Sequence, residues 1–593
     1  MLSWMRATCF LSLIFLSPAS VWAQTADLLV VQNTTALQAV ASTFAPAVLR
    51  LDAATGVGAP PQIFISTPTA CSITGGDVGS QVPSSDGKCW IARYGSNNAD
   101  VRQWGCIGNA SFDNSTCIQA AINAMQRKML HIGGGLFLVN SSLVSAGQII
   151  IEGDGGGKGI YDSGCLSGLR AGTANFDLLT LQGAGSVLQN LCFDSVSKTS
   201  TSGAAIAIPG GANSVRVEGN QINGICWGID VSGNSGGAGA QNLETVIFAN
   251  TLTISSNSPS CGGIRVGANS ISARTVDLKL QNNVVYCNNQ PGTGLLVLDS
   301  GGILAQGNVF SYNCGVGTKL FPGAGQVVQW SSFSGSALGD TDQASDLVID
   351  TNSNTATLFG NRFAGAWASN VSGGAAILIQ NTANSPNVTG IDMVQQTVYA
   401  RPNLPGIDIK SGTNIRIKDS TICSSGTSSA AAIVYEGNAS DVSIQNNRIG
   451  QCDNYAGGTL ATGIRIATSS QNIGIVTGNN FIYTTTPIDW APTNNSNAIK
   501  FIAADNLGVD DAFAAPVPTA ALVTLPLNGI AILTGSGTVS SINPMFQGRR
   551  VKMIVQGTVN FTTGGNVCNV LATTFNQTVD GVFNSTYGCW FLR

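Results

Sequence analysis

From about residue 140 to residue 505 the chain keeps returning to an apolar strand that ends in a Gly-Asn or Asn-Asn pair. The corners read Val217-Glu218-Gly219-Asn220, Phe248-Ala249-Asn250, Leu280-Gln281-Asn282-Asn283, Gln306-Gly307-Asn308, Phe359-Gly360-Asn361, Ile444-Gln445-Asn446-Asn447 and Val476-Thr477-Gly478-Asn479. Their last asparagines are 30, 33, 25, 53, 86 and 32 residues apart. The two long gaps divide into units of similar length, with degenerate corners expected near Gln396 and Ser420. A unit this short cannot bury its apolar face alone, so neighbours must stack to build a core. One unit per turn, hydrogen-bonded in parallel to the next, is a β-helix; a propeller blade would be longer and antiparallel. Gly and Asn are expected at the corner because it needs a positive φ, which they tolerate best.

Composition agrees. Charged residues are 10%, apolar residues 44%, and there are 72 Gly but only 19 Pro. That is too apolar for disorder and suits many short strands joined by tight turns. The net charge of −4 is spread thinly, without a basic patch, so neither nucleic acid nor an anionic membrane surface is an expected partner.

Residues 1–23 read as a cleavable export signal. Arg6 precedes the apolar run Cys9-Phe10-Leu11-Ser12-Leu13-Ile14-Phe15-Leu16, and Val21-Trp22-Ala23 forms the exit. An uncleaved anchor needs about 18 apolar residues in a row, and no segment reaches that. The expectation is a soluble protein in an extracellular or periplasmic space. Losing Cys9 leaves 14 cysteines, and sequence neighbours suggest the pairs Cys71–Cys89, Cys106–Cys117, Cys165–Cys192, Cys226–Cys261, Cys287–Cys314, Cys423–Cys452 and Cys568–Cys589. Spans of 27, 27 and 29 residues would put three of these pairs on consecutive coils. Metal binding is the weaker use of these thiols, since no Cys-x-x-Cys occurs and His131 is the only histidine.

Four regions follow: the signal, a lead-in region 24–95 with a helical start at Thr34–Val40, the β-helix at 96–505, and a small β-domain at 506–593. The domain follows a Pro-spaced linker at Pro516 and Pro518. Residues 101–139 give a strand, a helix capped by Asn or Ser, and a Gly-turned strand. The helix places Ile118, Ala121, Ile122 and Met125 on one face, fit to plug the open end of a solenoid.

The segment Val101-Arg102-Gln103-Trp104-Gly105-Cys106, followed by Asp113-Asn114-Ser115-Thr116 and Leu130-His131-Ile132-Gly133-Gly134-Gly135, resembles the opening motif of the pectate-lyase-like superfamily. That superfamily includes rhamnogalacturonase-like proteins and many phage tailspikes, and it usually has Gly-Asp-Gly where this chain has Gly108-Asn109-Ala110. The resemblance implies an all-β fold: a right-handed parallel β-helix with an N-terminal capping helix and a C-terminal β-domain, sometimes trimeric. It also implies an extracellular polysaccharide partner held along the Gly-Ile-x-Val strands.

Aligning those strands puts Asp230 and Arg265 outward on the first two, and reads a second outward row as Asp299, Asp350, Gln380, Lys410 and Glu436, flanked by Arg265, Asp408 and Arg465. A glycoside hydrolase needs two carboxyls, and Asp299 with Asp350 are the expected pair, one rung apart or two if another coil lies between. A lyase needs a base and a cation, which Lys410 and Arg465 would supply. The same residues also fit exposed ion pairs that keep the surface soluble. Three functions stay open: an exported polysaccharide-degrading hydrolase or lyase, a carbohydrate-binding or adhesive β-helix, and a tailspike-like structural trimer. No cofactor is expected; Asp340, Asp342 and Asp346 have a spacing that suits Ca²⁺, but a solvated loop is the commoner outcome of such a spacing. Gly153–Lys158 imitates a phosphate loop, with Gly159 where the Ser or Thr belongs, and is set aside. His131 is expected to be structural.

Overall fold

A computed structural model describes residues 28–593 apart from 96–97, 156–164, 198, 232–240, 268–273, 337–344, 369–373, 386, 425–426, 453–458, 469–473, 491–500, 510–515, 526–528 and 544–547. The export signal, Asp340 and Asp342 therefore lie outside the described residues.

The central feature is a 38-stranded sheet system running from Asn98–Asp100 to Phe501–Ala504, in which each strand pairs in parallel with its counterpart one turn later. This is the right-handed parallel β-helix. Inward positions stack like on like. Ile206, Ile229, Ile264 and Leu295 are successive Cα partners, followed by Thr318, Leu347, Ile377, Ile407, Ile433, Ile464 and Ile488. Each aliphatic side chain here is almost fully buried, contributing roughly 1.5–3 kcal/mol by leaving water. Helix Ser115–Ala124 sets Ile118, Ala121 and Ile122 into the same core, beside the first coils. Asn114 does not cap that helix; its amide binds the Ile107 and Phe112 carbonyls, while Asp113 Oδ1 accepts from Ser115 N at 3.0 Å.

The corners differ in detail from the sequence expectation. The left-handed residue is the one before the ladder asparagine: Gly219, Ala249, Asn282 and Gly307 have φ between 53° and 66°. The following asparagine is buried for another reason. Asn220 Nδ2 donates to Asn250 Oδ1, Asn250 to Asn283, and Asn283 to Asn308, each at 3.0 Å. A second ladder joins Asn447, Asn479 and Asn506 at 3.0 Å. Gln396 and Ser420 occupy corner positions, with Gln396 N donating to Ser420 Oγ at 3.0 Å. Ser331 divides the 53-residue gap.

Disulfides join all seven expected pairs. The Cys226–Cys261 bond also links consecutive coils, since the adjoining Trp227 and Gly262 are Cα partners. Before the solenoid, strands within residues 29–93 form a five-stranded sheet with its own small core around Leu37, Phe64 and Trp90. After it, strands within 517–592 enclose another around Leu533, Met553 and Trp590. Among the described residues no helix is long and apolar enough to cross a membrane.

Candidate functional site

Parallel register turns alternate residues of each strand into columns along the helix axis. On the sheet that carries Trp227–Val231 the first outward column runs Asp230, Arg265, Leu296, Lys319, Val348, Leu378, Asp408, Val434, Arg465 and Asp489. The second follows the inward residues Val297, Leu320, Ile349, Ile379, Ile409 and Tyr435, and therefore reads Leu298, Phe321, Asp350, Gln380, Lys410 and Glu436.

Asp299 is thus a correction. It falls one residue beyond the second column and is fully buried, with Oδ1 accepting from Arg274 Nε and Val327 N, both at 3.2 Å. Burial pushes its carboxyl up, opposed by the Val327 amide and Arg274. The slip arises because Leu295, not Leu296, takes the inward position beside Ile264, so Leu298 rather than Asp299 fills the second column. Separately, the coil between this strand and that of Asp350 is built on Val316–Leu320, not on Val327–Trp330. That coil brings Lys319 onto the outward face, a residue the sequence reading missed. Its strand lacks the aliphatic signature, since Thr318 takes the inward position.

The remaining residues divide by environment. Asp350 is buried and saturated: it accepts from Thr351 N (2.7 Å), Thr382 N (2.9 Å), Thr382 Oγ1 (2.9 Å) and Gln380 Nε2 (2.7 Å). Such a carboxylate holds the turn after its strand and has little capacity left for a substrate. Asp230 and Arg265 pair side by side, Nε to Oδ1 at 3.0 Å, with the guanidinium 5.2 Å from the Trp227 ring centroid. Arg465 pairs with Asp489 at 3.5 Å and is exposed.

Asp408 stands apart. It faces outward yet its side chain is only 15% exposed, Lys410 Nζ lies 3.6 Å from Oδ2, and Oδ1 has no hydrogen-bond partner among the described residues. Burial raises its pKa to about 6, moderated by Lys410 and reinforced by Glu436. Glu436 lies one coil on and two residues along from Asp408, a separation of about 8 Å on ideal parallel strands. Lys319 is desolvated by burial, which lowers its pKa against the pull of Asp350, and its ammonium sits 3.8 Å from the Phe321 ring centroid. Asp346 is buried, and among the described residues no group of three or more His, Cys, Asp or Glu side chains is placed to hold a metal ion.

A separate polar cluster surrounds His131 on the opening coils. Its Nδ1 meets Asp100 Oδ2 at 3.2 Å and its Nε2 meets Asp154 Oδ1 at 2.9 Å. Burial works against the Asp100 carboxylate, but hydrogen bonds from Arg102 and His131 outweigh it and hold the pKa at about 2. The Asp100 bond raises the His131 pKa, against burial and with help from Asp154. A histidine raised on folding stabilises fully below its unfolded value near 6.5, and that contribution is lost as pH rises through the folded value. With a single histidine in the chain, one imidazole resonance should titrate with a midpoint above 6.5, falling in Asp154→Asn. A midpoint at or below 6.5 would contradict the bridged geometry.

The class is therefore a right-handed parallel β-helix with charged outward columns on one sheet. No family model matches the chain, and no curated protein does. Solved structures similar to it include the A-module of the Azotobacter vinelandii mannuronan C-5 epimerase AlgE4, at 14% identity and TM-score 0.42, covering 68% of this chain and 99% of that one. Tailspike protein 4 of bacteriophage CBA120 is 12% identical with TM-score 0.38, covering 79% and 56% respectively. The catalytic unit of a GH87 alpha-1,3-glucanase from Streptomyces thermodiastaticus is 13% identical with TM-score 0.35, covering 72% and 74%.

Proposed function

We propose that this is an exported polysaccharide hydrolase whose working groups are Asp408, Lys410 and Glu436. The observation carrying the reading is the Asp408 carboxyl: outward-facing, poorly solvated, half-unpartnered and shifted to about 6. A general acid at neutral pH needs such an environment, and a second carboxyl on a backbone position about 8 Å away on ideal parallel strands fits the wider spacing that admits an attacking water. In this reading Asp408 protonates the leaving glycosidic oxygen while Glu436 takes a proton from the water on the opposite side. Lys410 binds Asp408 once it is ionised. Asp230, Arg265, Gln380 and Arg465 line the same sheet and offer polar contacts to flanking sugars. The seven disulfides support passage into an oxidising space.

Lys319 favours a second reading. A desolvated amine on the outward column is a candidate base for β-elimination of a polyuronate. Incubating the purified chain with neutral and uronate polysaccharides separates the two. New reducing ends without ultraviolet-absorbing product are the expected result; an unsaturated, ultraviolet-absorbing product would replace the hydrolase with the lyase. Absence of any cleavage would remove both.

A further inference from the structure

A different edge of the solenoid carries a second feature, physically separate from Asp408. Six left-handed positions on successive coils, Asp277, Gly302, Trp330, Gly360, Gly390 and Asn414, form the middle of one column that continues through Glu244 on one side and Asp441 on the other, as the registers of the strands beside them show. Trp330 is out of place there. At φ 52° a bulky side chain is strained, and corners of this kind otherwise use small or polar residues. Its indole is nevertheless 64% exposed, so burial does not offset the strain.

The surroundings fix that ring as a platform. It lies over Gly360, where a Cβ would fall 2.7 Å from the indole Cε3, and the Phe359 ring meets it edge-on at 4.9 Å. On the other side Gly302 is uncrowded: a Cβ there would make only ordinary contact, with Asp277 Oδ1 at 3.7 Å and Trp330 O at 3.9 Å. The result is a shelf of bare backbone with one rigid aromatic face in the middle. Asp277 and Asn414 flank this stretch, five coil spacings or on the order of 24 Å apart, and the acidic Glu244 and Asp441 lie one coil further out on either side.

We infer that this shelf binds a neutral segment of polysaccharide, the outer face of Trp330 stacking on the C–H face of a sugar while Asp277 and Asn414 bond hydroxyls. One indole on glycine backbone offers far too little apolar area for a stable protein interface. The column holds no Lys or Arg, and Asp277 repels a polyuronate. The inference takes its ligand class from the glycan reading above and nothing else from it.

The test uses the full chain in native gels cast with soluble glucan, xylan, mannan or polygalacturonate. Wild type and Asp408→Asn are expected to be retarded alike by a neutral polymer, Trp330→Ala to bind at least about fivefold more weakly, and Trp330→Phe to keep most of the affinity. Trp330→Ala keeps a Cβ at the same left-handed φ and removes only a mostly exposed ring, so its circular dichroism and unfolding temperature should stay close to wild type. Equal retardation of Trp330→Ala and wild type would overturn the shelf, as would retardation by polygalacturonate alone or by no polymer. The two ideas fail separately: loss of binding in Trp330→Ala with no glycan cleaved by wild type would keep the shelf and remove the hydrolase.

Discussion

Asp408→Asn and Glu436→Gln should each lower kcat on the cleaved polysaccharide by roughly 10²–10⁴-fold, the usual worth of a general acid or base. KM should change little, because neither amide alters the shape of the outward columns. The pH dependence gives the sign. An acid with pKa about 6 must be protonated to act, so wild-type kcat should fall as pH rises through that value. Stability moves with it. A carboxyl whose folded pKa lies above its unfolded 3.8 favours folding fully below 3.8, and that advantage disappears as pH rises through about 6. Asp408→Asn, which removes a poorly solvated negative charge, should therefore be more stable than wild type at pH 7.5, by on the order of 1–2 kcal/mol after allowing for solvent screening by the exposed part of the site. That gain should vanish near pH 4. Full activity in both variants would discard the assignment, and a stability difference of the same size at both pH values would discard the desolvated carboxyl.

The largest expected loss of stability comes from Asn250→Ala. The Asn250 side chain donates to Val217 O at 2.9 Å and Asn283 Oδ1 at 3.0 Å, and accepts from Asn220 N and Asn220 Nδ2, both at 3.0 Å. All three asparagines are buried, so the groups left behind cannot turn to water. With each orphaned group costing about 1–3 kcal/mol, the variant should lose on the order of 3–6 kcal/mol. Asn282→Gly is the contrast. Asn282 occupies the left-handed position beside the ladder, at φ 55°, where glycine is at ease. It should change the unfolding midpoint little. Because coils contact only their neighbours, hydrogen exchange in Asn250→Ala should accelerate first around residues 217–283 and spread outward. An Asn250→Ala midpoint equal to that of Asn282→Gly would mean that the ladder contributes nothing.

The repeat was legible because its cause is local. A left-handed residue followed by a buried asparagine marks many of the turns, and aliphatic alternation marks most inward strands, as at Ile229, Ile264 and Ile377. Four of the disulfide pairs were legible for a related reason: cysteines one coil apart in sequence become neighbours when coils stack. Gln396 and Ser420 remained recognisable because spacing pointed to them even without an asparagine.

The site was legible only in part. Asp350, Gln380, Lys410 and Glu436 each follow an inward aliphatic or aromatic residue, so alternation alone set them in one column. It could not show that Asp350 is saturated by Thr382 and Gln380, or that Asp408 is left without a partner at Oδ1. Nor could it reveal Trp330 as a platform, since its bare flanks, Gly302 and Gly360, lie on other coils.

Sequence by itself determined the winding, the corners and the cross-links, because each depends on residues within one turn and on a repeat of nearly constant length. Tertiary structure decided the phase: that Asp299 turns inward, that Lys319 turns outward, and that Asp408 shares its sheet face with Lys410 and Glu436. Turn lengths vary from coil to coil, and only the hydrogen bonds between coils select which residue lies beside which. A one-residue slip carries a side chain to the other face of its strand.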